Sequence, residues 1–241
     1  MSIHGDRVLG LRLTLAGLAV ALVMIPFTLL LIVAKMPVDG LDAEAARHLH
    51  EYALTHPEVT RFLIVWTDLF GPWPWRIAVI AYAVWLLNEG APRLAVWAVT
   101  TITVGGLLGL VVKIVVARAR PHLPDPVALA PGDSFPSGHA MNATLGAGVI
   151  VLLLLPMLPR WGRVVAWAVA CFLVLSVGYT RIALGVHWVS DVVAGIVLGV
   201  AVIAATAAAF ETWRREQGRR PASPPVEGVE PEFVRASNEH N

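Results

Sequence analysis

The sequence predicts an all-α, polytopic integral membrane protein with six transmembrane helices in a bundle. Composition is the first reason: 57% of the 241 residues are hydrophobic and the mean hydropathy is +0.70, more than a water-soluble domain carries without exposing large apolar patches. The second is that apolar runs near the length needed to cross a bilayer, about 20 residues, recur along the chain. A third is that ionisable residues gather at the ends of those runs. A formal net charge of +1 and a pI near 8.0 exclude a strongly basic face, so the expected partner is the bilayer and not nucleic acid.

In chain order the spans are expected at residues 10–35, 59–88, 92–117, 138–157, 162–181 and 187–212. The apolar stretch from Leu13 to Ala34 is too long for a signal-peptide core and runs into Lys35, Met36 and Pro37 instead of a small-residue cleavage site, so it reads as a retained anchor. Gly71, Pro72 and Pro74 interrupt the second span and suggest a shorter span after Pro72 with a separate helix before it. Between spans one and two, Leu41, Ala45, Leu49 and Tyr52 fall at helical spacing, with Asp42, Glu44, Arg47 and His50 elsewhere on the surface. This is the pattern of a short interfacial helix, either a connector or a lid. His48 and His50 have no companion ligands at zinc spacing, and the lone Cys171 reads as a small buried hydrophobe. Residues 1–213 thus form the membrane domain. Residues 214–241, with Arg214, Arg215, Arg219, Arg220 and then prolines, a serine and glutamates, have the composition of a disordered tail.

Orientation follows from the basic residues. Arg7, Arg12, Arg93, Arg160, Arg163 and the tail arginines fall on one side of a six-span chain, which the positive-inside bias makes cytoplasmic together with both termini. Trp161 and Trp213 near that face, and Trp66, Trp73, Trp75 and Trp188 near the other, fit aromatic belts.

Three segments put charge at the ends of apolar helices on the opposite side, where a bilayer makes charge costly unless it is paired or used. The first runs from Lys113 to Arg120 and Pro121. Seven residues make almost two turns, so a continuous helix places the two cations on one face about 10 Å apart; alone, such residues serve equally as snorkelling anchors. The second, Asp133-Ser-Phe-Pro-Ser-Gly-His139, leads into the fourth span. Ser137 is a natural N-cap, and Gly138 leaves the helix N-terminal N–H groups open to an anion. A capped turn with an incidental histidine has the same pattern. The third joins the last two spans through Arg181, His187 and Asp191. His187 and Asp191 stand at i and i+4, where a carboxylate on the same helical face fixes the imidazole tautomer, although a structural helix pair would also account for them. Three cations, a hydroxyl, amides, two histidines and a carboxylate sum to a phosphate cradle. The cations would repel a divalent metal, so no metal and no cofactor is expected.

In this order the segments resemble the three signature motifs of the type 2 phosphatidic acid phosphatase family, which includes glucose-6-phosphatase and the vanadium haloperoxidases. Lys113, Arg120 and Pro121 match the first; Pro136, Ser137, Gly138 and His139 match the second in full. Arg181, His187 and Asp191 match the third, with Thr180 where the family usually has serine. The resemblance implies a membrane lipid phosphatase in which His187 is the nucleophile, Asp191 orients it and His139 is the general acid. It also implies that Lys113, Arg120, Ser137, Gly138 and Arg181 hold the phosphate, roles that suit a reaction governed by positioning and charge neutralisation. Arg118, between Lys113 and Arg120, and His122, just after Pro121, have two readings, contact with a second phosphate or the headgroup and the favoured one of solvent-facing bystanders. The expected substrate is a lipid phosphate, polyprenyl diphosphate being favoured over phosphatidic acid and phosphatidylglycerol phosphate because the site faces outward. A halide-oxidising enzyme is disfavoured by the six spans, and a transporter or lipid binder by the paired histidines and Asp191.

Overall fold

Every element is a helix or a connection in the computed structural model, which describes residues 40–232 and Ile32; among these there is no strand. The span expected at 10–35 lies, apart from Ile32, outside the described residues.

Helix α1, Leu41–Thr55, follows Gly40, whose φ of 57° lies where glycine is favoured. The interfacial helix is present, but rotated from expectation. Its inward face carries Ala46, His50 and Ala53, while Leu41 is exposed. Polar partners in the bundle cause the rotation: Asp42 bonds to Arg118 and Ser190, and His50 Nε2 lies 2.6 Å from the carbonyl of Pro124. Helix α2, Pro57–Leu69, and helix α3, Pro72–Asn88, together occupy the expected second span. They separate at Phe70 and Gly71, with Pro72 at the start of α3, where its missing N–H costs nothing.

Four further helices follow: α4, Pro92–Val116; α5, Gly138–Leu154, extended by a 3₁₀ turn at Leu155–Met157; α6, Arg160–Ala183; and α7, Val189–Glu216. These four are long and apolar enough, by length and composition, to cross a membrane. Helix α5 is the axis of the bundle, 72% of its most apolar stretch being buried against 22% for α4 and for α6. Exposed apolar side chains such as Leu107, Ile114, Phe172 and Leu175 cover the outer flanks, as expected of surfaces that face lipid. Cys171 is exposed on that flank of α6, not buried as its apolar surroundings suggested. Helices α5 and α7 approach so closely that a Cβ on Gly195 would lie 2.6 Å from the carbonyl oxygen of Ser137.

The connections sort the chain into two ends. Helix α4 ends, α5 begins, α6 ends and α7 begins at one end, here the site end. Arg93, Arg160, Arg163 and Arg214 belong to the other. There the chain after Trp213 remains folded through Glu232, a departure from the expected disorder. Buried Arg214 bonds Glu211 at 2.5 Å and Glu232 at 2.7 Å, Arg163 donates to the carbonyl of Val226 and Trp167 to that of Pro225, so the short helix α8, Pro224–Glu227, is tied to the bundle. Composition suggested disorder because it does not register these tertiary ion pairs.

Candidate active site

The first motif enters the site through a helix end, not along a helix. Helix α4 stops at Val116 because Ala117 turns left-handed, at φ 48° and ψ 43°, and its N–H caps the carbonyl of Lys113 at 3.0 Å. Lys113 and Arg120 therefore do not share a continuous helical face. They converge all the same, on one backbone carbonyl: Lys113 Nζ donates to Asp133 O at 2.6 Å and Arg120 Nη2 donates to it at 3.0 Å. Arg120 also donates to the carbonyls of Gly132 and Val186, at 2.9 and 2.6 Å.

The same left-handed turn sends Arg118 inward, contrary to its reading as a bystander. Arg118 is 8% exposed. Its Nη1 donates to Asp191 Oδ1 at 2.7 Å and its Nη2 to Asp42 Oδ2 at 3.1 Å. Ser190 closes the loop by donating its N–H to Asp42 Oδ1 at 2.9 Å and its hydroxyl to Asp42 Oδ2 at 2.5 Å. Helix α1 is thus anchored through Arg118 to the carboxylate beside His187. His122, by contrast, is exposed.

The second motif places Ser137 as the N-cap of α5, its Oγ accepting from the N–H of Ala140 at 3.5 Å. Its own N–H donates to Asp191 O at 2.9 Å, which locks the start of α5 against the start of α7. A Cβ on Gly138 would meet nothing within 4 Å, so the first turn of α5 is open there. His139 is half-buried, its Nε2 3.5 Å from where a Cβ on Gly71 would stand, with Arg181, Arg120 and Lys113 as the cations around it.

In the third motif the chain folds back at the end of α6. Gly185, at φ 68°, permits the turn, and the N–H groups of Val186 and His187 both bond Arg181 O at 3.2 Å. Arg181 is buried, its Nη1 donating to Thr67 Oγ1 at 3.1 Å. Helix α7 begins only at Val189, so His187 and Asp191 are not on one helical face. Asp191 is instead the third helical residue and caps the helix start, its Oδ2 accepting from the N–H of Trp188 at 2.9 Å and from the hydroxyl of Ser134. His187 Nδ1 lies 3.5 Å from the same oxygen.

These contacts define the histidine. Arg120 Nη1 is 3.1 Å from His187 Nε2, and a guanidinium can only donate. Nε2 therefore accepts, and the ring proton sits on Nδ1, toward Asp191. Burial holds the His187 pKa down to about 4, with Arg120 pushing the same way and Asp191 opposing. The imidazole is neutral at neutral pH with its Nε2 lone pair among cations. Among the described residues no group of three or more His, Cys, Asp or Glu side chains is arranged to hold a metal ion.

All eight residues singled out from the sequence, Lys113, Arg120, Ser137, Gly138, His139, Arg181, His187 and Asp191, lie at the site end. Asp42, Arg118, Ser134 and Ser190 were missed. Arg118 lies inside the first motif and Ser134 just before the second, so proximity was the available signal for both. Asp42 gave none, since its partners are remote in sequence.

A helical bundle with membrane-length helices, whose site end gathers Lys113, Arg120 and Arg181 near a neutral imidazole, is the architecture of a multi-pass membrane protein. The model of the PAP2 superfamily matches residues 94–215, about half of the chain and all three motifs, and the chain belongs to that superfamily. Undecaprenyl-diphosphatase of Sulfolobus acidocaldarius is 35% identical over 122 residues, 48% of this chain and 55% of that protein. Phosphatidylglycerophosphatase B of Bacillus subtilis is 39% identical over 97 residues, 39% of this chain and 47% of that protein. The chain spans about half the length of these curated relatives. The crystal structure of a transmembrane PAP2-type phosphatidylglycerolphosphate phosphatase from Bacillus subtilis shares the fold, with a TM-score of 0.65 at 23% identity over 84% of this chain and 98% of that one.

Proposed function

We propose that the chain is a metal-independent membrane phosphatase that hydrolyses a lipid phosphate or diphosphate through a phosphohistidine on His187. The observation that carries this is the state of His187: a buried neutral ring, its Nε2 lone pair against Arg120 and its Nδ1 against a buried carboxylate. Binding an anion needs cations; a nucleophile with an orienting carboxylate is needed only to attack it.

In this mechanism the phosphate replaces backbone carbonyls as the partner of Lys113 and Arg120, exchanging neutral acceptors for charged ones, which bind about twice as strongly. Arg181, the Ser137 hydroxyl and the Gly138 N–H hold the remaining oxygens. His187 Nε2 attacks phosphorus as the bond to the lipid oxygen breaks, and His139 delivers a proton to that oxygen. Asp191 stabilises the positive ring. Water then attacks the phosphohistidine, His139 takes its proton, the P–N bond breaks and phosphate leaves. The chemistry is positioning and charge neutralisation throughout.

Six spans with both termini in the cytoplasm of a plasma membrane put the site on the outer side. The arginines at the opposite end, Arg93, Arg160, Arg163, Arg214 and Arg215, support that orientation. Polyprenyl diphosphate is the favoured substrate, for which the undecaprenyl-diphosphatase relative provides support; phosphatidylglycerol phosphate and phosphatidic acid are the alternatives. The test is phosphate release by purified protein in detergent, with a chelator, across these lipids and a soluble phosphate ester. Release that survives chelation and vanishes in His187→Ala is expected. No release from any of them would turn the reading toward a lipid binder or transporter.

A further inference from the structure

Arg76 is a cation that the mechanism does not use. It stands on the second turn of α3, in the crease between α3, α4 and α5. Its Nε donates to Asn142 Oδ1 at 3.2 Å, its guanidinium lies 5.4 Å from the centroid of the Trp73 ring, and a Cβ on Gly106 of α4 would be 3.5 Å from its Nη2. No carboxylate among the described residues is within ion-pairing distance of it. Asn142 is itself held, its Nδ2 donating to Gly138 O at 2.8 Å, which leaves Oδ1 as the acceptor turned to Arg76. A snorkelling arginine at this position would run to the interface. This one is half-buried and tied inward to α5, and a charge in the bundle with no carboxylate against it marks a function.

Its depth relates it to the site. Asn142 is three residues past His139, about 4.5 Å along α5, and Arg76 is five residues past Gly71, the neighbour of His139, about 7.5 Å along α3. Both helices run from the site end into the bilayer. Asn142, the residue that holds the guanidinium, therefore lies on the tail side of His139, the histidine that protonates the leaving oxygen, and whatever that oxygen carries passes toward it.

We infer that Arg76 binds a second phosphate of the substrate, on the bilayer side of the phosphate that faces His187. The inference rests on the proposed lipid phosphatase reading and narrows it to substrates with two phosphates in series. Two sources share that chemistry: a lipid diphosphate, and a phospholipid whose terminal phosphate is joined through glycerol to a phosphodiester. A phosphate with only a hydrocarbon or diacylglycerol behind it would leave Arg76 without a partner.

The test compares wild type, Arg76→Gln and Arg76→Lys in detergent, by binding and by turnover. The binding probes are a non-hydrolysable prenyl bisphosphonate and the prenyl monophosphonate of the same tail. Arg76→Gln is expected to weaken bisphosphonate binding about tenfold to a hundredfold, the scale of one charged hydrogen-bonded contact, with monophosphonate binding within about twofold and Arg76→Lys in between. Turnover of polyprenyl diphosphate against its monophosphate, and of phosphatidylglycerol phosphate against phosphatidic acid, identifies the source by which pair separates. Equal weakening on both phosphonates, no weakening, or a wild type that binds the two alike overturns the inference. Wild type that shows the binding difference but releases no phosphate sinks the phosphatase reading and leaves the second-phosphate site standing.

Discussion

Each end of the bundle has a buried arginine that joins two carboxylates from distant segments. At the site end Arg118 connects Asp42 of α1 to Asp191 of α7; at the other, Arg214 connects Glu211 of α7 to Glu232 beyond α8. The surroundings differ. Around Arg214, Arg215 pairs with Glu211 and Arg220 with Glu227, while Arg163 donates to carbonyls and Arg93 stacks on Trp213, so the carboxylates there meet most of the charge. Around Arg118, Lys113 and Arg120 are satisfied by carbonyls and Arg181 by a hydroxyl, leaving their charge uncancelled by contact carboxylates. A closed ion network holds structure together, whereas an open surplus of one sign beside a neutral imidazole is a place for an anion.

Breaking the site end at its centre has the largest effect. His187→Ala is expected to lower kcat by roughly four to six orders of magnitude, the range for removing a nucleophile, without loss of membrane insertion. Arg214→Ala, which leaves half-buried Glu232 without its cation while Glu211 keeps Arg215, is expected to cost about 3 kcal/mol of stability, read as a lower thermal midpoint, while kcat/KM of the surviving folded protein stays near wild type.

The two arginine relays are separated most sharply by neutralising one carboxylate of each. Asp42→Asn and Glu232→Gln should both cost about 1–3 kcal/mol of stability, since each weakens a charged hydrogen bond. Only Asp42→Asn should also lower kcat, about tenfold, because Arg118 is then free to shift against Asp191. An equal effect of the two on kcat would remove the distinction between the ends.

Acidity gives a further test. Because His187 is held near pKa 4, well below the usual 6.5, its protonation and the loss of its lone pair set the acid limb of kcat/KM near pH 4. The unfolded chain binds that proton from about pH 6.5 downward, so stability falls as pH drops from about 6.5 to 4 and levels off below. An acid limb at pH 6 to 7 would mean that a group other than His187 is the nucleophile. The smallest perturbation is Gly138→Ala, which meets nothing in the fold. It should leave the thermal midpoint unchanged and raise KM about threefold to tenfold, the cost of crowding one contact to the phosphate.

The elements that sequence revealed are those set by apolar length and by local residue type. The helices near 92–117, 138–157, 162–181 and 187–212 appear within a few residues of those bounds, because an uninterrupted apolar run has few alternatives. Ser137 and the break at Gly71 and Pro72 were legible because capping and proline geometry are local. What sequence hid was tertiary. A left-handed alanine ending α4 has no residue signature, so Arg118 read as outward when it turns in. The inward rotation of α1 is set by Arg118, Ser190 and Pro124, all far along the chain. The folding of residues 214–232 depends on Glu232 reaching back to Arg214.

The most direct test of the account is to map the covalent intermediate. Lipid diphosphate labelled at its terminal phosphate, whose lipid monophosphate leaves without needing a proton, is mixed with His139→Ala protein, in which the base for hydrolysis of the phosphoenzyme is gone, and quenched in alkali, where phosphohistidine survives. The account predicts label on His187, lost when the peptide is acidified and absent from His139→Ala/His187→Ala. Label on any other residue, or wild-type turnover that transfers the phosphate directly to water with no labelled protein in either background, would contradict it.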